Sequence, residues 1–372
     1  IAALLVLVAL ALGREALTLR LVAFGALIVL LFWPEALAGP SFQLSFAAVA
    51  TIVILHELPL VKRFTERRDE PTLYRLARAV VSLVLTGLAI EIILAPIALF
   101  HFHKTGLYGA FANVVAIPMT TFVIMPLEAL ALALDLVGLG GPFWWLAGQG
   151  ILAMLALAHF VSGLPGAVSM MPEMPIWSYA AFWAGALLFG LLQTHIRYVG
   201  IPIFLLGIAG MILAPRPDIL VTGDGKHLAL VAADGKVSLL RGKAGDFVRD
   251  MISEKAGSNA VATPIEQWPG ANCTPDTCII SIAAQNRTWT ILATRTAYQV
   301  PAMEMAAACR RVDIVMSDRW LPQSCRPKWI KADRRLLEQT GGLAIYLAEQ
   351  RVITVNENRA HMPWVQAAKA AQ

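Results

Sequence analysis

Two histidines, His101 and His103, lie two residues apart in the stretch HFHKTG. Imidazole is a common ligand of zinc, and a zinc site in a protein needs at least three protein ligands. The sequence offers no third ligand close to this pair. We therefore expect neither a metal nor another cofactor at these histidines.

Cysteines offer a second kind of chemistry, and all of them lie in the C-terminal part of the chain. An even number of cysteines in a domain outside the cytoplasm is typical of disulfides, and three pairings are possible. One pair flanks the tight turn TPDT and could close a small ring. The rival is a zinc site, which normally uses two close Cys-x-x-Cys pairs. The disulfide candidates are Cys273, Cys278, Cys309 and Cys325.

A third group of side chains combines positive charge with an aromatic ring in the stretch SCRPKWIKADRR. Basic side chains neutralise phosphates and a ring stacks on bases, which is what single-stranded nucleic acid requires. The alternative is the solvated start of a helix with its tryptophan packed inward. The candidate DNA contacts are Arg326, Lys328, Trp329, Lys331, Arg334 and Arg335.

The elements that must position these residues follow from the composition. The chain of 372 residues is 58% hydrophobic and 15% charged, whereas a soluble domain is about 45–50% apolar and about 25% charged. Residues 1–215 hold 10 basic and 10 acidic side chains, and residues 216–372 hold 20 and 15. The predicted fold is a polytopic α-helical membrane domain, 1–215, followed by a small soluble mixed α/β domain, 216–372.

Apolar stretches approaching the roughly 20 residues of a membrane span recur through the first domain. The fifth stretch contains Pro118 and Pro126, so we expect a broken or re-entrant element there. The first stretch begins at Ile1, which predicts that the sequence starts inside a membrane helix of a longer protein. The predicted spans are 1–12, 16–32, 41–61, 76–100, 107–134, 143–163, 176–194 and 198–214.

Polar side chains within these spans are costly in a bilayer and are expected to face the bundle interior or water. They either bond to neighbouring helices or line an aqueous path, and for the glutamine a capping role is also open. The candidates for lining a channel are Gln43, Ser45, Glu91, Asn113 and Thr120.

Lysine and arginine in short loops set the orientation of a membrane protein. The densest basic loop is 62–78, which we therefore place in the cytoplasm. Loops 33–40, 101–106 and 164–175 are then outside, and the span count places the soluble domain in the periplasm or extracellular space. The basic residues of the cytoplasmic loop are Lys62, Arg63, Arg67, Arg68, Arg75 and Arg78.

The sequence pattern changes after Asp218. DILVTGDGKHLALVAADGKVSLL predicts three short strands with turns at Asp224–Gly225 and Asp234–Gly235, and DFVRDMISEK predicts an amphipathic helix. Further strands are predicted at 278–284, 288–293, 312–316, 343–347 and 351–355, and further helices at 301–311 and 333–339.

The stretch FWPEALAGPSFQLSFAAVATI resembles the ComEC competence family, the inner-membrane channel through which competent bacteria take in DNA. LYGAFANVVAIPMTTFVIMPLEAL is similar to a second family segment, with the Asn-x-x-Ala-x-Pro pattern at Asn113, Ala116 and Pro118. The resemblance covers 1–215. It implies a multi-pass channel of the bacterial inner (plasma) membrane for transforming single-stranded DNA. The implied partners are single-stranded DNA, the lipid bilayer, other competence proteins and a second copy of the chain.

Many members of that family carry a metallo-β-lactamase-like domain where this chain has 216–372. RRVDIVMSDRW and TGGLAIYLAEQRVITV resemble the late strands of that domain. Its metal chemistry needs a His-x-His-x-Asp-His cluster, and this sequence has only His227 and His361 there. The resemblance therefore implies a degenerate metallo-β-lactamase-like domain without a metal, and a transport channel rather than an enzyme.

Two other classes of membrane protein compete with the channel. A secondary transporter with an accessory domain predicts internal repeats, and none is visible in the sequence. A membrane enzyme acting on lipid or peptidoglycan intermediates predicts a cluster of polar residues at one membrane face, and the outward loops offer few candidates for it.

Overall fold

The chain divides into two compact units. The structure is a computed structural model, and it describes residues 18–66, 71–106, 108–242, 244–285, 287–296 and 298–359. Residues 1–169 and 174–213 form one unit, and residues 170–173 and 214–372 form the other. We call them the helical unit and the sheet unit. The predicted span 1–12, Arg67, Arg68 and His361 lie outside the described residues.

The described part of the helical unit consists of α-helices with short connections. The helices are α1 (Leu19–Phe32), α2 (Pro40–Glu57), α3 (Pro59–Thr65), α4 (Thr72–Phe102), α5 (Gly109–Met119), α6 (Met125–Asp135), α7 (Gly141–Ser162), α8 (Ile176–Leu191) and α9 (Gly200–Ile212). Short 3₁₀ helices occupy Pro34–Ala38 and His195–Val199, and β1 (Lys104–Gly106) pairs with β2 (Val168–Met170).

Five helical runs in the described residues are long and apolar enough to cross a membrane, which confirms the predicted polytopic helical domain. They are Pro40–Glu57, Thr72–Phe102, Gly109–Asp135, Gly141–Ser162 and His195–Ile212. Helices α1 and α8 are apolar but shorter. Proline is the first residue of α2 and of α3, where its missing N–H is not needed for a helical hydrogen bond.

The run Gly109–Asp135 corrects the prediction of a broken or re-entrant element. It continues through its prolines, with a π-helical segment, Thr120–Ile124, between α5 and α6. Pro118 and Pro126 flank this segment, and each lacks the N–H that would bond to the carbonyl four residues earlier. The wider π turn accommodates this disturbance without ending the helix.

Helices α8 and α9 pack with their backbones almost touching. A Cβ placed on Gly185 would lie 2.6 Å from the carbonyl oxygen of Gly200, and one on Gly207 would lie 2.5 Å from the backbone nitrogen of Phe182. The buried hydroxyl of Ser178 donates a 2.6 Å hydrogen bond to the carbonyl of Gly207. Small residues at such an interface let two membrane helices approach closely.

The described part of the sheet unit contains two mixed sheets, four α-helices and the short 3₁₀ helix Ile265–Gln267. The sheet strands are β3 (Ile219–Thr222), β4 (Leu228–Val231), β5 (Val237–Leu239), β6 (Thr263–Pro264), β7 (Ala271–Cys273), β8 (Thr277–Ala284), β9 (Arg287–Thr294), β10 (Ile314–Met316), β11 (Ile330–Ala332), β12 (Gly342–Tyr346) and β13 (Arg351–Thr354). The helices are α10 (Asp246–Ala256), α11 (Ala302–Arg311), α12 (Arg334–Thr340) and α13 (Val355–Arg359). One sheet has the order β13-β12-β3-β4-β5-β6 and the other β11-β10-β9-β8-β7.

The sheets pack face to face, and a helix covers the outer face of each. Ile219 and Val221 of β3 join the core between the sheets, together with Ile291 of β9. Leu220, between the two β3 residues, packs instead in the cluster that contains Ile252 of α10. Leu292, Val315 and other residues of the second sheet pack against α11. Burial on both faces explains why β3, β4 and β10 are continuous apolar runs.

The three strands predicted after Asp218 are β3, β4 and β5, joined by the two predicted turns. Gly225 and Gly235 have φ angles of +67° and +85°, a conformation that glycine adopts at little cost. Asp224 and Asp234 each accept a hydrogen bond from the backbone N–H two residues later. The fold class predicted from the sequence, a helical membrane domain followed by a mixed α/β domain, is therefore confirmed.

Candidate functional site

Gln43 lies in the first turn of α2, immediately after the 3₁₀ helix Pro34–Ala38. Its side-chain Nε2 donates a 2.9 Å hydrogen bond to the carbonyl oxygen of Leu37. This bond ties the start of the helix to the segment that precedes it. Because the amide nitrogen donates, this bond does not cap the N–H groups at the helix start, and it holds the preceding segment against α2 instead.

The other polar atom, Oε1 of Gln43, reaches two more helices. It accepts a 2.7 Å hydrogen bond from Nε2 of His101 in α4 and a 2.5 Å hydrogen bond from the hydroxyl of Tyr179 in α8. An amide oxygen can only accept, so His101 carries its hydrogen on Nε2. We call Gln43, His101 and Tyr179 the Gln43 cluster.

Aromatic packing holds the Gln43 cluster in place. The ring of Tyr179 is buried and stacks on Phe100, with ring centroids 3.9 Å apart and planes 3° apart. Trp183 meets the Tyr179 ring edge-on at 6.3 Å. The cluster thus combines neutral hydrogen bonds with stacked rings, and it can fix three helices or present an amide to water. It has no nucleophile paired with a base.

The cluster lies at the end of the helical unit where several connections meet. The start of α2, the end of α4 and the start of α8 are joined there by the bonds of Gln43. The hydroxyl of Tyr108 donates to the carbonyl of Pro165 at 2.9 Å, and β1 pairs with β2. Residues of the loops 33–40, 101–106 and 164–175, which the sequence predicts on one side of the membrane, are thereby brought together.

Glu91 has a different partner from the Gln43 cluster. From the middle of α4, its carboxylate accepts hydrogen bonds from the backbone N–H groups of Gly109 and Ala110, at 3.2 and 3.0 Å. These two groups begin α5, where N–H groups lack helical partners and where a negative charge is favourable. Glu91 is therefore a cap supplied by a neighbouring helix, which the sequence did not predict.

The remaining channel candidates do not join the Gln43 cluster. The hydroxyl of Thr120 donates to the carbonyl of Ala116 within its own helical run, at 2.8 Å. Ser45 and Asn113 are exposed on the surface of the helical unit. Of the five predicted residues, only Gln43 thus belongs to the Gln43 cluster, whereas Glu91 contacts α5. Neither His101 nor Tyr179 was among the predicted site residues.

Comparison with known proteins bears on this unit. The family model described as "Competence protein" matches residues 1–195, slightly more than half of the chain and all three members of the Gln43 cluster. The chain belongs to the competence protein family. The resemblance seen in the sequence is thereby confirmed for the family.

The chain is also similar to a protein of Escherichia coli. A stretch of 137 residues is 36% identical to the "Uncharacterized protein YcaI" of Escherichia coli strain K12. This stretch is 37% of the present chain and 17% of that relative, so the chain matches only a small part of the relative's length. No solved structure matches the chain.

The family match ends before residues 214–372 of this competence protein, where the predicted cysteines lie. Cys273 pairs with Cys278, with Cα atoms 4.1 Å apart, across the TPDT turn between β7 and β8. Cys309 of α11 pairs with Cys325, with Cα atoms 5.3 Å apart. The structure selects this pairing from the three that the sequence left open, and all four cysteines are used in it.

The basic stretch before α12 divides into buried and exposed side chains. Trp329 packs against the core between the sheets, with its ring centroid 4.9 Å from that of Trp289, so of the two alternatives the structure selects a tryptophan packed inward over an exposed stacking ring. Lys331 is occupied by hydrogen bonds to the carbonyls of Leu321 and Pro322. The exposed members of the stretch are Arg326, Lys328, Arg334 and Arg335.

An exposed tryptophan that was not predicted lies close to this stretch. Trp320 is 61% exposed, and the guanidinium carbon of Arg335 lies 5.8 Å from its ring centroid. The contact between Trp320 and Arg335 could not be predicted from the sequence, because the two residues are far apart along the chain and come together only where the chain turns back between residues 320 and 334. The only available sequence signal was a tryptophan directly after Arg319.

The sheet unit has few groups that could ligate a metal. Among the described residues of the chain, no group of three or more histidine, cysteine, aspartate or glutamate side chains is placed to hold a metal ion. His227 is half-buried just before β4. Burial is the main cause that lowers the pKa of His227 below its ordinary value, so the ring is neutral at neutral pH.

Proposed function

We propose that this competence protein is a channel of the bacterial inner membrane, through which single-stranded DNA enters the cell. Its membership of the competence family and its membrane-spanning helices support a role in DNA uptake. The observation that carries the finer proposal is the Gln43 cluster. Within the stretch with the specific ComEC resemblance, one amide ties together three helices at one end of the unit.

A polyanion crossing a bilayer needs a wet path that does not trap its charge. Neutral hydrogen-bonding groups suit such a path better than fixed charges do. The described side chains proposed to line it are Gln43, Ser45, Asn113 and Thr120, which are all neutral. Glu91 is proposed to act indirectly, because its carboxylate is directed at the start of α5.

The channel proposal predicts where uptake stops when the protein is missing. After deletion of the gene from its host, labelled donor DNA should still bind to cells but should not become resistant to nuclease added outside. Restoring the gene should restore resistance, because the path across the inner membrane is restored. The measurement is the fraction of labelled DNA that survives external nuclease. Equal internalisation by deleted and restored strains would refute the proposed function.

We propose further that the sheet unit is a degenerate metallo-β-lactamase-like domain without hydrolase activity. Strands β10, β12 and β13 fall in the two stretches that resemble the late strands of such a domain. The required His-x-His-x-Asp-His cluster is missing from the sequence. The proposed partners are single-stranded DNA, the bilayer, other proteins of the competence machinery and a second copy of the chain.

We propose the orientation that the charge pattern favours. With loop 62–78 in the cytoplasm, the sheet unit lies in the periplasm or extracellular space. Disulfides Cys273–Cys278 and Cys309–Cys325 suit an oxidising compartment. Reporter fusions after Arg68 and after Arg216 should show cytoplasmic and exported activity, respectively. Exported activity at the first position, or cytoplasmic activity at the second, would invert the orientation.

A further inference from the structure

The loop after β10, residues 317–325, carries an exposed tryptophan on a firmly held backbone. Ser317 donates its backbone N–H to the carbonyl of Ala332 at 3.0 Å, and Arg334 donates its N–H to the carbonyl of Arg319 at 3.1 Å. Lys331 donates to the carbonyls of Leu321 and Pro322 at 3.1 and 3.0 Å. We call this segment the Trp320 loop.

A disulfide adds a covalent anchor to the Trp320 loop. Cys325, at the end of the loop, is bonded to Cys309 of α11, and both cysteines are buried. The loop is therefore fixed at both ends and along its length, yet Trp320 remains 61% exposed. A large ring that is held firmly and left in water is suited to contact with a partner, because little conformational entropy is lost on binding.

Trp320 lines two clefts on the surface of the sheet unit. The first has a volume of about 690 Å³ and is lined by Trp320, Arg319, Arg334 and the start of α11. The second has a volume of about 460 Å³ and is lined by Trp320, Lys331, Arg335 and others. Leu321 and Pro322 line both clefts. Trp320 thus borders two cavities, each with basic side chains in its wall.

The charges around the clefts are mainly positive. Residues 317–335 contain six basic side chains and two acidic side chains, Asp318 and Asp333, and Asp318 pairs with Arg241 at 2.7 Å. Asp333 is buried, accepts a hydrogen bond from the N–H of Leu336 at the start of α12 and lies 3.4 Å from Lys331. Arg334 pairs with Glu338 at the surface, at 2.7 Å. Arg335 faces the ring of Trp320.

We propose that Trp320 and its two clefts form a binding site for single-stranded DNA on the sheet unit. A base stacks on the exposed ring of Trp320, and Arg334 and Arg335, in the walls of the two clefts, neutralise the phosphates that flank it. That the nucleic acid is single-stranded DNA rests on the proposed function. The proposed stacking ring is Trp320, because Trp329 is packed inward.

The test measures binding of a fluorescent oligodeoxythymidylate to the full protein purified in detergent. Removing one stacking ring should weaken binding about tenfold, so Trp320→Ala should raise the Kd by about that factor. Trp320→Phe should retain most of the affinity because it keeps a ring. Phe247→Ala is the matched control, since Phe247 is an exposed aromatic residue of the same unit, on α10.

The proposed contact of Arg335 with a phosphate is tested by the salt dependence of the affinity. Arg335→Gln should lower the slope of log affinity against log salt by about 0.7, as expected for one lost contact to a single strand. Lys236→Gln, at an exposed turn paired with Asp234, should leave that slope unchanged.

Two results would overturn the proposed binding site. One is an unchanged Kd for Trp320→Ala, and the other is a wild-type protein that does not bind the oligonucleotide. Neither result bears on the deletion experiment, so loss of this site and loss of the proposed channel function are told apart.

Discussion

Replacing Gln43 with leucine is expected to lower the transformation frequency about tenfold or more, while the protein remains inserted in the membrane. Leucine removes the oxygen that accepts hydrogen bonds from His101 and Tyr179. Interhelical hydrogen bonds in membranes contribute about 0.6 kcal/mol each on average, so the loss of stability should be small. The larger effect is on uptake, because an apolar side chain replaces an amide at the end of the proposed path.

Three further variants separate the possible roles of Gln43. Tyr179→Phe removes one donor to the amide but keeps the buried ring stacked on Phe100. It should reduce uptake only if the hydrogen bonds, rather than the amide itself, matter. Gln43→Asn keeps an amide on a shorter side chain and should fall between wild type and Gln43→Leu. Thr51→Val is the matched control on α2, because the Thr51 hydroxyl donates to Ala47 within the same helix.

The measurement compares transformation frequency with the amount of protein in the membrane for every variant. Normal transformation by Gln43→Leu at normal abundance would exclude Gln43 from the uptake path. A fall in abundance that fully accounts for the loss of transformation would instead assign Gln43 to helix packing alone. With either result, the Gln43 cluster would no longer support the proposed channel.

The membrane helices could be predicted from the sequence because the bilayer imposes a minimum apolar length on each span. The strands β3, β4 and β5 could be predicted because Asp-Gly turns separate short apolar runs. Gln43 could be recognised as unusual because a polar side chain there interrupts the apolar stretch of a membrane span. Its partners could not be predicted, because His101 and Tyr179 are 58 and 136 residues away along the chain.

The misplaced tryptophan shows what the sequence pattern omits. Trp329 is surrounded by basic residues in the sequence, but it lies next to β11 and packs on Trp289. Trp320 has fewer charged neighbours along the chain, and folding brings Arg334 and Arg335 to its clefts. Proximity in sequence to basic residues therefore did not show which of the two rings is exposed. The choice depended on which ring the sheet core could accommodate.

Glu91 and the π segment show a related limit. The cost of an ionisable group in a membrane predicted that Glu91 would have a partner. It did not predict that the partner would be the backbone at the start of α5. Similarly, Pro118 and Pro126 predicted a disturbance of the helix, but the form it takes depends on how neighbouring helices hold the chain. Both outcomes are set by packing between elements.

The second large effect is expected at Gly185, in the contact between α8 and α9. A methyl group added there would meet the backbone nitrogen of Phe204 and would lie 2.6 Å from the carbonyl oxygen of Gly200. Backbone atoms cannot rotate away, so Gly185→Ala must push the two helices apart. Such overpacking costs about 2–3 kcal/mol, which should lower the unfolding temperature of the purified protein by about 5–10 °C.

Gly148→Ala is the matched control for this contact, because Gly148 also lies within a membrane helix, α7, and a Cβ there would meet nothing within 4 Å. It should leave the unfolding temperature nearly unchanged, whereas Gly185→Ala should also lower membrane abundance several-fold. Unfolding is followed by intrinsic fluorescence in detergent, and abundance by immunoblotting of membranes. Equal unfolding temperatures for the two variants would show that α8 and α9 are not in close backbone contact, since the same methyl group would then be accommodated at both positions.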